Sequence, residues 1–203
     1  MEPLFDLRGR IVAIGTGATT SAVVDALFRM QAAKQRSRPI TVYMVGATVE
    51  STPLLAGDAL LLADVIRSIA SPVRTVGFGM LTGWQPLLLA CGSPGERFLL
   101  TRSLVALGPL DWNGLALPKN PIGLQPQASP QPSSAIRQQL HGQLQRLLTE
   151  LNLESDLFAD HRLLNADEAI ASRLADRVFQ PALKPENSPQ LIARPALNYE
   201  SQP

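Results

Sequence analysis

The sequence predicts an α/β fold of repeated β-α units with a mostly parallel sheet. Two observations carry this. Short apolar, β-branched runs recur at Arg10–Gly15, Ile40–Val45 and Val73–Phe78, each closed by glycine or a turn. Between them the apolar spacing turns helical, and strand–helix alternation of this kind calls for crossover helices on a parallel sheet. A third observation sets the scale: 203 residues, 45% of them hydrophobic and 17% charged, are enough for one well-buried core.

Arg10-Ile11-Val12-Ala13-Ile14-Gly15 reads as a buried strand, and Thr16 to Thr20 as the turn after it, with Thr20 or Ser21 as the cap of the next helix. Val23, Ala26, Leu27, Met30 and Ala33 share one face of that helix. Lys34, Arg36 and Arg38 crowd its C-terminal end, where cations suit the dipole, and Pro39 stops it. Ile40–Val45 is the second strand, Ala47 to Pro53 a polar loop, and Leu54 to Ile69 a helix with Ala59, Leu62, Ala63 and Ile66 inward.

Val73 to Gly92 organises the chain. It begins as a strand, breaks at Met80-Leu81-Thr82 between Gly79 and Gly83, and continues as a helix from Trp84 to Ala90. Several hydrolase folds present a nucleophile on such a turn, with the first free N–H groups of the helix stabilising an oxyanion. Here no nucleophile stands at the turn, and a plain packing junction accounts for the same pattern. Ser93-Pro94-Gly95 is a turn, and Glu96–Leu100 and Ser103–Leu107 read as two more strands. Pro109 to Pro132 is proline-rich and lacks apolar periodicity, as an extended loop would. Ile136, Leu140, Leu144, Leu147, Leu148 and Leu151 then mark one face of a long amphipathic helix. Asn165 caps another helix, with Asp167 and Glu168 in its first turn. Residues 181–203 read as a disordered tail. There is no internal repeat.

Composition excludes some classes. A formal net charge of +1 gives no electrostatic case for nucleic acid or a membrane surface. No apolar run approaches the length of a membrane span, and the N-terminus does not read as a secretory signal. The single Cys91 sits in an apolar stripe and cannot pair internally, which suits a reducing cytosol; a cytoplasmic location is expected. No cluster has metal-ligand spacing, Gly15-x-Gly17 lacks the rest of a dinucleotide fingerprint, and no cofactor is expected. Glu50, Asp58 and Asp64 read as terminal and surface acids of the second helix.

From Gly9 to Val178 the chain resembles the proteolytic subunit of the ATP-dependent Clp protease, ClpP. The resemblance is sharpest ungapped from Arg74 to Leu110: TVGFG, MLTGW, LLLACG, SPGERFLL, LVALGPL. Leu164-Asn165-Ala166-Asp167-Glu168-Ala169 and Ala175-Asp176-Arg177-Val178 match two later segments. The resemblance implies a ClpP/crotonase-like fold with a long handle helix, in one domain over 1–180 that carries the Pro-rich insertion 109–132. It also implies where catalytic residues would fall. The nucleophile position is Gly83, the general-base position Gly108, and the orienting-acid position His161, with Asp160 just before it. The triad is therefore degenerate, and no catalytic residue is expected. The matching oxyanion loop, Ala47-Thr48-Val49-Glu50-Ser51-Thr52-Pro53-Leu54, lacks the family's glycine pair. Thr82 has a hydroxyl beside the nucleophile position but points elsewhere on a sharp turn. His141 lies on the long helix. Trp84 is bulkier than the family's residue and is expected to fill the substrate groove.

Serine hydrolysis needs a hydroxyl, a base and an orienting group. The expected function is therefore a non-catalytic ClpP-like subunit, structural or regulatory, in a homo- or hetero-oligomer with ClpP-type subunits, with a Clp ATPase as a further partner. The alternatives are a serine-type endopeptidase with displaced catalytic residues and a crotonase-like acyl-thioester-binding protein. The leucine face from Ile136 to Leu151 fits either an interface or the interior of its own domain.

Overall fold

The computed structural model of the chain describes residues 5–15, 19–32, 37–46, 54–110 and 134–179. The expectations for the loop 47–53, the insertion beyond Leu110, and the tail lie outside them. The elements in order are β1 (Phe5–Asp6), β2 (Ile11–Ile14), α1 (Thr20–Ala32), β3 (Ile40–Val45), α2 (Ala56–Ser68), β4 (Val73–Phe78), β5 (Met80–Leu81), α3 (Gln85–Ala90), β6 (Arg97–Leu100), β7 (Leu104–Leu107), α4 (Ser134–Glu150), β8 (Arg162–Leu164), α5 (Ala166–Ala171) and β9 (Arg177–Phe179).

They form a six-stranded sheet, β1-β2-β3-β4-β6-β9, and a three-stranded sheet, β5-β7-β8. From β2 to β9 the larger sheet is parallel, and β1 is an antiparallel edge. The expected break at Met80-Leu81 is instead a strand of the second sheet. Gly79, with φ +75°, turns the chain off β4, and its carbonyl accepts the Leu104 amide at 2.9 Å. Helix α1 is capped one residue earlier than the sequence suggests: the Thr19 hydroxyl accepts the Ala22 amide at 3.4 Å.

The five described helices all contribute buried side chains to one core cluster. Val12, Ile14, Val42, Met44, Val73 and Leu99 share one core cluster with the buried side chains of α1, α2, α3, α4 and α5. The alternate residues of the same strands point the other way. Tyr43, Phe78, Leu100 and Phe179 are half-buried there, and none of them belongs to the cluster. Ala13, Val76 and Phe98 are buried among these neighbours but also stand outside it. The two faces of this sheet thus differ: one carries the core cluster, while on the other Ala13, Val76 and Phe98 are buried and, among the described residues, their aromatic neighbours are half-buried.

Helix α4 follows the leucine spacing, and from Leu144 onward its apolar face is internal. Leu144, Leu147 and Leu148 join the core cluster with Leu153, Leu157 and Phe158 from the chain that follows. An interface built on Leu144 and Leu148 is therefore ruled out, because the protein's own polypeptide occupies that face.

At the other edge Arg97 clamps β6 to β9. Its Nη2 lies 2.6 Å from Asp176 Oδ1, its Nε and amide both donate to Asp176 Oδ2 at 3.0 Å, and Nη1 donates to the Arg173 carbonyl at 2.9 Å. Burial alone would raise the Asp176 carboxyl, but the Arg97 hydrogen bonds and charge hold it below its ordinary value. Asn165 completes a capping box on α5: its side chain accepts the Glu168 amide and the Glu168 carboxylate accepts the Asn165 amide.

Candidate functional site

Strand register brings positions 83, 108 and 161 to one end of the small sheet. β5 runs parallel to β7 with Leu81 beside Val105, and β8 runs antiparallel to β7 with Arg162 opposite Leu107. Gly83 follows the end of β5, Gly108 follows the end of β7, and His161 precedes the start of β8. Three positions distant in sequence thus fall at the same end of this sheet, with Gly108 and His161 next to each other. Two of them bring no side chain.

The turn at Gly83 has a left-handed backbone. Gly83 is exposed, has φ +58°, and a Cβ built on it would meet nothing within 4 Å. The left-handed conformation is the strained strand-to-helix geometry that pushes a side chain out of such a turn. Gln85 locks it: Gln85 Oε1 accepts the Thr82 amide at 3.1 Å and Gln85 Nε2 donates to the Val45 carbonyl at 2.7 Å. The Gln85 amide in turn donates to the Thr82 carbonyl at 3.1 Å. Sequence reasoning passed over Gln85; the signal available was a polar residue at the first helical position of an apolar run.

Gly108 and His161 are complementary. An ideal Cβ on Gly108 would fall 2.6 Å from His161 Nδ1 and 3.0 Å from Cε1. The His161 ring therefore fills the space where a side chain at position 108 would begin. Trp84 differs too. It is 2% exposed and sits in the core cluster, so its bulk does not fill a groove. Trp84 stands at the N-cap of α3, with Pro86 near the helix start.

The other candidates stand apart from this centre. His141 is exposed on α4, Asp58 lies in the first turn of α2, and Asp64 is exposed on α2. Glu50 and Gly17 lie outside the described residues. A Cβ on Gly15 would fall 3.0 Å from Gln85 Nε2, which fits a close-packed turn. Burial pushes the Cys91 thiol up to about 12, so it is an inert core side chain. Among the described residues no three His, Cys, Asp or Glu side chains group to hold a metal, and no helix is long and apolar enough to cross a membrane.

A cavity of about 520 Å³ opens where the C-terminal ends of α2, α3, α4 and α5 converge, and it includes none of the three positions. Its arginines are already engaged: Arg67 with Glu150 at 2.8 Å, Arg97 with Asp176. Asn152 and Arg173 line it with φ of 55° and 62°, as residues just past helix ends. The Leu153 amide reaches back to the Leu148 carbonyl and the Leu174 amide to that of Ala169, the bonds of helix-terminating caps.

Compared with known proteins, residues 7–182 match the family model described as Clp protease. The chain belongs to the Clp protease family. It is 23% identical over 187 residues to the ATP-dependent Clp protease proteolytic subunit 2 of Gloeobacter violaceus, covering 89% of this chain and 80% of that one. It is 25% identical over 180 residues to the protein of the same name from Streptomyces avermitilis, with 87% and 86% covered. It is 29% identical over 162 residues to the ATP-dependent Clp protease proteolytic subunit-related protein 2, chloroplastic, of Arabidopsis thaliana, covering 76% of this chain and 52% of that one.

Proposed function

We propose that this chain is a non-catalytic subunit, structural or regulatory, of an ATP-dependent Clp protease assembly. The observation that carries the reading is that Gly83, Gly108 and His161 fall at one end of the small sheet. A serine hydrolase needs a hydroxyl, a base within hydrogen-bond reach and a group orienting that base. Two glycines supply neither of the first two, and the elbow at Gly83 presents only backbone.

The second, aromatic face of the larger sheet supports the assembly half of the reading. Parallel sheets occur almost only where both faces are covered. Here the core cluster takes one, and among the described residues the half-buried Tyr43, Phe78 and Phe179 on the other offer an aromatic surface to a second polypeptide: a ClpP-type neighbour or a Clp ATPase. The relatives are themselves named as subunits, or as a subunit-related protein. A reducing, cytoplasmic setting suits a chain whose single cysteine is buried and free.

Co-expression with an active ClpP-type subunit tests this. Native mass spectrometry should find mixed oligomers in which peptide hydrolysis scales with the active subunit alone. Hydrolysis by this chain purified by itself would contradict it.

A further inference from the structure

We infer that the cavity between the ends of α2, α3, α4 and α5 is a binding site for a small organic carboxylate with an aliphatic body, held at its acid group by Arg173. The inference stands whether or not the chain is catalytic.

Three guanidiniums and two carboxylates line this cavity, and they do not pair evenly. Arg97 is fully committed: Nε and Nη2 donate to Asp176 and Nη1 to the Arg173 carbonyl. Arg67 meets Glu150 at 2.8 Å. Arg173 has no carboxylate partner among the described residues; its Nη1 lies 3.4 Å from the Asn152 carbonyl, a long hydrogen bond. One positive charge is left over.

The fold does not ask for an arginine here. Residue 173 follows the end of α5 with φ 62°, where glycine is the ordinary residue. The cap itself is made by backbone. The Arg173 amide donates to the Ile170 carbonyl at 2.9 Å and the Leu174 amide to that of Ala169 at 3.0 Å. A side chain at 173 strains this turn and adds nothing to the cap. What it does add is an exposed guanidinium on the cavity wall.

Charge and shape then choose the ligand. One surplus charge matches a monoanion. A dianion would bring a second negative charge up to Glu150, Asp176 and the carbonyl ends of the helices. The planar guanidinium fork matches the two oxygens of a carboxylate. At about 520 Å³ the cavity is larger than an acid group alone needs and falls in the range of small-molecule sites. Its apolar wall is Leu151 and Ile170, both half-buried, with Ala90 and Ala175 buried behind them. That wall suits a short aliphatic chain.

The test is isothermal titration calorimetry of the full chain with hexanoate, acetate and hexylammonium. Hexanoate should bind at least about tenfold more tightly than either of the others. It should also move the Ile170 methyl signal of isoleucine-labelled protein. Arg173→Gly removes the guanidinium and suits the left-handed backbone, so the variant should keep or raise its Tm while hexanoate affinity falls about tenfold. Arg173→Lys keeps the charge without the fork and should fall between. N-acetyl-Leu-Leu and its amide separate two sources of the same chemistry. Binding of the free acid but not the amide would support the inference with a peptide chain end as the source; binding of hexanoate alone would support it with a free acid. Unchanged hexanoate affinity in Arg173→Gly would overturn the inference. So would hexylammonium or the amide binding as tightly as the acids, acetate matching hexanoate, or no binding of hexanoate at all.

Discussion

The imidazole of His161 occupies the space that a side chain on Gly108 would need, with Nδ1 2.6 Å from an ideal Cβ at 108. The neighbouring strands β7 and β8 thus contribute one ring between them. Gly108→His should therefore force the His161 ring aside. Because His161 is exposed and can rotate away, the cost is about 1 kcal/mol, or a fall of about 2–4 °C in Tm. Adding His161→Asp should recover most of it. Thermal denaturation of the single and double variants checks this, and an additive further loss in the double variant would contradict it.

Restoring all three side chains should not restore hydrolysis. A serine at position 83 has room, since nothing lies within 4 Å of its Cβ, and Trp84 is turned into the core. Two obstacles remain: the left-handed φ of +58° at position 83, which strains any side chain there, and the loop Ala47–Leu54, which lacks the glycine pair. Loss of one oxyanion donor costs about a hundred- to a thousandfold in rate. Gly83→Ser/Gly108→His/His161→Asp should hydrolyse fluorogenic peptides at least about a hundredfold more slowly than an active family member. Turnover within about tenfold of such a member would show that neither is an obstacle.

Leu144→Lys with Leu148→Lys should unfold the subunit rather than merely dissociate an assembly. Leu148 is 1% exposed and Leu144 5%, both within the protein's own core. Removing one buried leucine costs about 2–5 kcal/mol before any charge is buried. Circular dichroism with size-exclusion chromatography reads both properties. A folded, smaller species would return the face to an interface.

The Arg97–Asp176 clamp sets an acid limit. Because the folded carboxyl lies below its ordinary value of 3.8, the stability it adds is present above that value and is lost as pH falls through the lower, folded one. Asp176→Asn should cost about 2 kcal/mol at neutral pH and flatten the loss of stability below about pH 4. Urea denaturation across that range checks the sign. A variant as acid-sensitive as the parent would show that other carboxylates govern the limit.

The larger sheet was legible because apolar run length and helical spacing come from the same burial that builds it; Ile40–Val45 and Val73–Phe78 stand where the pattern puts them. Strands β1 and β8 were not, since two or three residues, some exposed, carry no period. The inward turn of Trp84 and the place of the His161 ring depend on which way a turn throws a side chain, and spacing does not record that. Nor could the sequence show which face of the larger sheet carries the core cluster, since alternate apolar residues in β4 and β6 read alike on either side.

The most direct measurement of the central claim is covalent labelling by a fluorophosphonate probe. The purified chain, alone and within a mixed oligomer with an active ClpP-type subunit, would be treated with the probe and mapped by mass spectrometry. The account predicts label on the active subunit's serine and none on this chain. A modified serine or threonine in this chain, Thr82 above all, would contradict it.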